Sequence, residues 1–588
     1  MEFFENKSQQ SVLALGCIQS LLIGLLAILI VSVVILSWVP PVSRDALTHH
    51  LAVPKLYLQH GGIYEIHAIV FSYYPMNLDL LYMIPLYWGN DIAPKFIHFL
   101  FALLTAGLLY GYLRKRLGPV WGLFGALFFL SLPIVVKLSI TVYVDLGLVF
   151  FSSASLLSFL KWIESRFHIK YLLLSAISCG LALGTKYNAL VVFFILTLFV
   201  PLVYIRQARK EAPGDNSSAK IRPANRQSKA VGWGIIFCLV ALLGFSPWMI
   251  RNYAWTENPI YPLYNHVFTP PQPGPTESLD GNGKDTFGKG PAAAVKQNSA
   301  RWSSFAIRSV LYNESWWEIA IIPIRIFFQG QDDNPQYFDG KLSPFLFLLP
   351  FFAFWQIKNN PPALRTEKQI LGGFTILYIL YAFFQTDLRI RYIAPIIPPL
   401  VILATFGLNQ ITAAATTRWA NSQRGITAAC LLLLSILILS FNAVYIVEQF
   451  KYVKPFSYMS GKIDRDRYIT TYRPEYAALQ YSNQNLPDAS KLLGLFIGNR
   501  RYYSDRELIF GNNQFRKIVK AARSYDDVVS VLKGGGFTHL LIRFDLFNRW
   551  AGVQFNDRER EMLNTFFKKN VKLMFAEGGY GLFEFMRN

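Results

Sequence analysis

The chain has 588 residues, 53% of them hydrophobic and 16% aromatic, with a formal net charge of +21. Its many long apolar runs exclude an ordinary soluble globule and predict a polytopic helical membrane protein. The positive charge belongs to loops that face the cytoplasm and lipid phosphates. No basic repeat or nucleic-acid motif accompanies it, so no nucleic-acid partner is expected.

Met1 to Gln10 is short and polar. The apolar run after it is too long for a signal-peptide core and lacks a clean cleavage site, which predicts a retained first helix. A span needs about 20 largely apolar residues, and about eleven stretches meet that rule. They lie near 12–38, 92–113, 120–136, 143–160, 171–185, 188–205, 231–249, 343–357, 369–385, 392–408 and 426–447. Cys17, Cys179, Cys238 and Cys430 each fall inside an apolar run and read as small packing residues, with no disulfide framework.

The Lys/Arg bias of short loops sets the orientation. With the N-terminus in the cytoplasm, the inner loops hold Arg114, Lys115 and Arg116, then Lys161, Arg166 and Lys170, then the basic stretch from Arg206 to Lys229. Lys358, Arg365 and Lys368 follow, then Arg418 and Arg424, while the outer turns carry little beyond Lys137, Arg389 and Arg391. An odd number of crossings places the C-terminus outside, and the chain divides into a membrane domain, 1–449, and an extracytoplasmic domain, 450–588.

Two outer loops, 39–91 and 250–342, interrupt the membrane domain. The first predicts a surface helix from Leu47 to His60, stopped by Gly61 and Gly62, and an interfacial segment from Leu78 to Trp88. In the second, Pro270 to Pro275 and Gly281 to Gly290 read as a mobile loop, and Trp302 to Phe328 as an in-plane amphipathic helix. The tail predicts a small α/β domain. Its strands are expected at Leu492–Ile497 and Thr538–Phe544, its helices at Tyr525–Lys533 and Asp557–Lys568, and a hairpin pairs Val571–Ala576 with Tyr580–Phe585.

Ionisable groups at the edge of a bilayer are costly and usually functional. Asp45 ends the first span and Asp145 opens the fourth, at the same membrane face. Such carboxylates can accept a proton from a substrate hydroxyl, or hold a divalent cation together. His49 and His50 follow Asp45 closely enough for one of them to share its helical face. The basic set is Lys186, Arg251, Arg389 and Arg391, beside proline-broken helices, and suits a lipid-linked phosphate. Lys55, Tyr74, Tyr143, Tyr187, Asn252 and Tyr392 flank these charges and complete the candidate lining.

The stretch D-A-L-T-H-H-L-A-V-P-K-L-Y-L-Q-H-G-G-I, from Asp45, resembles the first-loop signature of bacterial GT-C glycosyltransferases. These are the polyprenol-dependent enzymes related to protein O-mannosyltransferases and aminoarabinose transferases. T-V-Y-V-D-L-G-L, L-A-L-G-T-K-Y-N-A-L, P-W-M-I-R-N-Y-A-W-T-E-N-P-I-Y-P, F-D-G-K-L-S-P-F-L-F-L-L-P and R-Y-I-A-P-I-I-P-P-L fit in order, over about residues 12–447. The resemblance implies an all-α membrane core of GT-C fold in a bacterial inner membrane, with its site facing outward. It implies a polyprenyl-phosphate sugar donor, Asp45 as the first-loop acid, Asp145 as the acid of the next outer loop, and Arg389 and Arg391 near the donor phosphate.

Two departures withhold the acceptor. Asp45 is followed by Ala46, so the mannosyltransferase acid pair is absent. Tyr74-Pro75-Met76-Asn77 stands where aminoarabinose transferases carry K-P-P. A third metal-binding acid, of the kind used with pyrophosphate-linked donors, would have to come from Asp332, Asp333 or Asp339. The expected reaction is inverting transfer to a lipid, glycan or protein hydroxyl of the cell envelope. The competing expectations are a glycan polymerase or ligase and, in another class, a lipid or solute transporter, which the one-sided charges and lack of repeats disfavour.

Overall fold

The computed structural model describes residues 2–210, 223–268, 304–384, 388–418 and 424–586. The expected mobile segments at 270–275 and 281–290, and the Cys430 side chain, lie outside the described residues.

Helix α1, Glu2–Ser37, carries the chain to the first loop. There Leu51 N–H donates to Ala46 O, a five-residue spacing that makes Ala46–His50 a π-helical turn. Such wide turns recur at functional sites. Helix α2, Ala52–His60, stops at Gly61, whose φ of 79° is the left-handed conformation that glycine adopts without strain. Helix α3, Asn77–Tyr87, covers the segment expected at Leu78–Trp88, and Tyr87 and Trp88 at its end are each 74% exposed.

The helices α4, Ala93–Leu117, α5, Pro119–Ser131, α6, Pro133–Ser139, and α7, Asp145–Glu164, follow. Then come α8, Ile169–Leu183, α9, Ala189–Lys210, and α10, Pro223–Thr256. Later membrane helices run Phe345–Ala353, Pro362–Phe383, Ile397–Arg418 and Arg424–Val453. Every expected span coincides with a helix, but fewer qualify as crossings. Among the described residues, seven helices are long and apolar enough to cross a membrane, or eight if α5 and α6, bent by 66°, form one span. The shortfall has physical causes. Helix α8 has 15 residues, Phe345–Ala353 has nine, and Pro362–Phe383 carries Arg365, Glu367 and Lys368 in its first turns.

The in-plane helix expected at 302–328 is broken. It runs as Ser304–Tyr312, Trp316–Ala320 and Ile322–Arg325, interrupted at Asn313, with a φ of 55°, and before Pro323. The pieces are tied by a buried ion network in which Glu314 receives Arg308 at 2.6 Å and Arg325 at 3.1 Å.

The C-terminal region forms a five-stranded sheet in the order β2-β1-β3-β5-β4. The strands are β1 Lys491–Leu495, β2 Glu507–Phe510, β3 His539–Arg543, β4 Val571–Glu577 and β5 Tyr580–Phe585. β1 pairs in parallel with β2 and β3, while β5 runs antiparallel to β3 and β4. The β1–β2 connection docks on the loop between α1 and α4. The backbone N–H groups of Arg501 and Tyr502 both donate to Leu47 O at 3.1 Å, and the Tyr503 hydroxyl donates to Pro41 O at 2.8 Å.

Candidate active site

The π-turn, the start of α7, the α8–α9 turn and the segment before Ile397–Arg418 converge. The Arg391 Nη1 donates to Asp45 Oδ2 at 2.6 Å, and the guanidinium lies over the Tyr143 and Tyr392 rings at 5.1 and 5.4 Å. The Tyr392 carbonyl accepts from the Tyr378 hydroxyl at 3.1 Å, which fixes this turn. Burial works against the Asp45 charge. Arg391 outweighs it and holds the carboxyl far below the usual carboxylate range.

The Lys186 Nζ donates to Asp145 Oδ1 at 2.7 Å and sits 5.5 Å from the Tyr392 ring. A small residue at 184 builds this turn. A Cβ on Gly184 would meet Asn77 Nδ2 at 2.3 Å, and the Asn77 N–H donates to Gly184 O at 2.9 Å. Asp145 itself is 0% exposed. Its Oδ1 is engaged by Lys186.

His49 stacks on Phe71 at 4.4 Å, and the two histidine rings lie 4.0 Å apart. The His50 Nδ1 is 2.7 Å from Asp79 Oδ1. Burial pushes both imidazoles down to about 3 and the Asp79 carboxyl up to about 7. The aromatic wall continues from Phe71 to Tyr74 and on to Tyr187, at 5.4 and 5.2 Å. Asn252 Nδ2 donates to the Tyr187 hydroxyl at 3.1 Å and to Tyr73 O at 2.8 Å. Arg251 lies between Trp248 and Trp255, 4.5 and 4.9 Å from their rings, with its Nη2 donating to Asn252 Oδ1 at 2.8 Å.

The remaining expectations divide. Arg389 is not beside Asp45. Its Nη1 reaches Asp339 Oδ2 at 3.1 Å, and Lys137 reaches both Asp339 and Asp332, at 3.1 and 3.0 Å. Burial opposes the Asp339 charge, but Lys137 and Arg389 prevail and hold its carboxyl low. Lys55 turns to the C-terminal region, donating to Tyr502 O at 2.9 Å, Ser504 O at 3.1 Å and Asp505 Oδ1 at 2.7 Å. It therefore does not line the Asp45 cluster. Among the described residues no three His, Cys, Asp or Glu side chains gather as a metal-ligand set. Asp45, Asp145 and Asp339 end instead on Arg391, Lys186 and the Lys137–Arg389 pair.

Two residues escaped the sequence reading. Asp79 is an acid inside the apolar segment Leu78–Trp88, and that oddity was the available signal. His98 is the lone histidine of α4. Its Nε2 accepts the Leu146 N–H at 2.9 Å, and its Nδ1 lies 2.9 and 3.0 Å from the Leu138 and Thr141 carbonyls, which locks the turn leading to Asp145.

The helical membrane core with its C-terminal sheet has the fold of GT-C glycosyltransferases of solved structure. Residues 85–211 match the family described as dolichyl-phosphate-mannose-protein mannosyltransferase. The apo structure of ArnT from Cupriavidus metallidurans is 14% identical, with a TM-score of 0.51 over 96% of this chain and 97% of that one. The same protein bound to undecaprenyl phosphate is 14% identical, with a TM-score of 0.54 over 96% and 98%. An Archaeoglobus fulgidus oligosaccharyltransferase tethered with an acceptor peptide is 10% identical, with a TM-score of 0.51 over 94% of this chain and 74% of that one. No curated protein matches the sequence.

Proposed function

We propose that this integral membrane protein is a glycosyltransferase that moves a sugar from a polyprenyl-phosphate donor to a hydroxyl of a cell-envelope acceptor. Transfer occurs with inversion at the outer face of a bacterial inner membrane, where the Lys/Arg bias puts the Asp45 loop. The carrying observation is unfilled hydrogen-bonding capacity. Arg391 Nε, Arg251 Nη1 and His49 Nδ1 are all buried without a partner among the described residues. Buried polar atoms are normally satisfied, so such a set suits a site completed by a polar ligand. The similar structure with bound undecaprenyl phosphate supports the donor class.

The acceptor oxygen attacks the anomeric carbon as the bond from that carbon to the phosphate oxygen breaks, and the phosphate leaves with the electron pair. Asp45 takes the hydroxyl proton. Arg391 stabilises the charge growing on the phosphate, with Lys186 beside it and Arg251 further along the aromatic wall. Arg391 also couples the two halves of the reaction. While it holds Asp45, the carboxylate is a weak base. When a phosphate draws the guanidinium, Asp45 loses its cation and becomes more basic. In this reading residues 1–449 are the catalytic part, and the sheet of 450–588 braces its first loop.

The test is incubation of purified protein with radiolabelled polyprenyl-phosphate sugars and envelope extracts. Label passing to an acceptor is the expected result. Intact donor, or release of the label only as translocated lipid, overturns the reading.

A further inference from the structure

A cavity of about 440 Å³ lies apart from the Asp45–Arg391 cluster, between the first outer loop and the C-terminal region. That volume falls in the range of about 300–1,000 Å³ typical of ligand pockets. Its charges cancel in pairs. Lys55 is bound to Asp505 at 2.7 Å, and Arg465 is bound to Asp91. A cleft with two cations and two anions already paired has little to offer a phosphate or an acidic peptide.

The rest of the lining is amide and aromatic. Gln480, Asn483 and Gln484 come from the helix Glu475–Asn485, and Tyr476, Tyr502 and Tyr503 supply rings. Asn483 is spent on structure, donating to Tyr503 O at 2.9 Å and accepting from Asp505 N–H at 2.8 Å. Gln480 donates to the Tyr476 hydroxyl at 3.0 Å and lines the cleft, and Gln484 is exposed. Amides carry donors and acceptors together, and tyrosine rings add apolar faces. That combination matches the alternating hydroxyls and C–H faces of a neutral sugar.

The location adds to this. Gly89 forms part of the rim, directly after the exposed Tyr87 and Trp88. Exposed tyrosine and tryptophan at such a position sit at lipid headgroup level. On the other side, Tyr502 lines the cleft and its N–H holds Leu47 O, two residues from Asp45.

We infer that this cleft binds the neutral carbohydrate portion of a membrane-anchored glycan, which is the acceptor. The inference rests on the transferase reading above, and the lipid part of the glycan stays in the bilayer beside Trp88. The full chain in lipid nanodiscs is tested on an array of neutral oligosaccharides set beside uronate- and phosphate-bearing ones. Wild type is retained by neutral glycans. The double variant Gln480→Ala/Gln484→Ala is held about tenfold more weakly, as expected for losing one to two ligand hydrogen bonds. Gln484→Trp, at an exposed position that tolerates bulk, obstructs the mouth and gives the same loss. Asp45→Asn retains glycan as wild type does while its transfer activity falls. No retention by neutral glycans, preference for the acidic ones, or unchanged retention by both cleft variants overturns the inference. Neutral-glycan retention by a protein that never consumes donor overturns the transferase reading alone.

Discussion

The Asp45 carboxylate accepts a hydrogen bond from Arg391 across 346 positions of sequence, at 2.6 Å. Each partner alters the chemistry of the other. Asp45→Asn removes the proposed base and leaves a buried guanidinium without its anion. Transfer is expected to fall by about 100-fold or more. Stability falls by about 3 kcal/mol as well, the order found when one partner of a buried pair is removed. Activity of the folded fraction, normalised by an unfolding scan, separates the two. A folded Asp45→Asn protein with full transfer activity removes Asp45 from the chemistry.

The pairing also predicts a pH profile. With Arg391 in place the Asp45 carboxyl stays ionised far below the ordinary carboxylate range. Protonation switches off a base, so the acidic limb of kcat/KM for wild type lies well below about pH 4. In Arg391→Gln the cation is gone and burial remains, so the limb moves up, toward or past that value. Residual activity followed against pH reads this directly, whatever the loss in rate. A limb that stays put assigns the proton to another group.

Asp145 and Lys186 form an ion pair in which the carboxylate is 0% exposed and the lysine side chain 16% exposed. Either single neutral variant strands the other charge, at about 3 kcal/mol. Asp145→Asn/Lys186→Gln strands none and is expected to unfold closer to wild type than the sum of the singles. A positive coupling energy in the double-mutant cycle is the readout. In activity, Lys186→Gln raises the KM for donor, and Asp145→Asn does so only through the displaced lysine.

Acidification acts on the buried histidines. Burial pushes His49 and His50 down to about 3 from an ordinary 6.5, so their contribution is complete above 6.5 and is lost as pH falls toward 3. Asp79, pushed up from 3.8 to about 7, works in reverse: its contribution is complete below 3.8 and lost as pH rises through 7. Two imidazoles against one carboxyl leave a net loss of stability on acidification between 6.5 and 3.8. A melting temperature that falls between neutral pH and about pH 5, with a flatter profile in His49→Gln, is the expected result. Asp79→Ala costs about 2 kcal/mol by leaving His50 Nδ1 unpartnered, and Asp79→Asn restores most of it.

Legibility in the sequence followed the range of the interaction. Helices α1, α4, α7, α9 and α10 were visible because an apolar run of bilayer length is a local signal. Asp45, Lys186 and Arg391 could be picked out singly because charge beside an apolar run is also local. Their partners could not. Arg389 and Arg391 are two residues apart yet serve different acids, since the turn through Ile390 sends one to Asp339 and the other to Asp45. Lys55 lies in the same loop as Asp45, and its partner Asp505 is 450 positions away. In the tail, β1, β3 and the β4–β5 hairpin showed as apolar runs or turn signals. The four-residue β2, which begins at the exposed Glu507, has too short a pattern to be read.

The contact between Tyr503 and Pro41 ties the C-terminal region to the loop that carries Asp45. The Tyr503 hydroxyl donates to Pro41 O at 2.8 Å, four residues before Asp45, while Arg501 and Tyr502 hold Leu47 O just after it. These bonds bracket the Asp45 turn from outside the membrane. Tyr503→Phe keeps the ring and removes one bond, at about 1 kcal/mol of stability. If Asp45 is the base, as proposed, a loosened loop samples the productive geometry less often, and small misplacements are costly in rate. The expected result is a kcat reduced by about tenfold with the donor KM little changed, because Arg391 and Lys186 stay where they are. Tyr503→His, which retains a donor near the same position, is expected to recover part of the rate. Wild-type kcat in Tyr503→Phe confines the contact to stability.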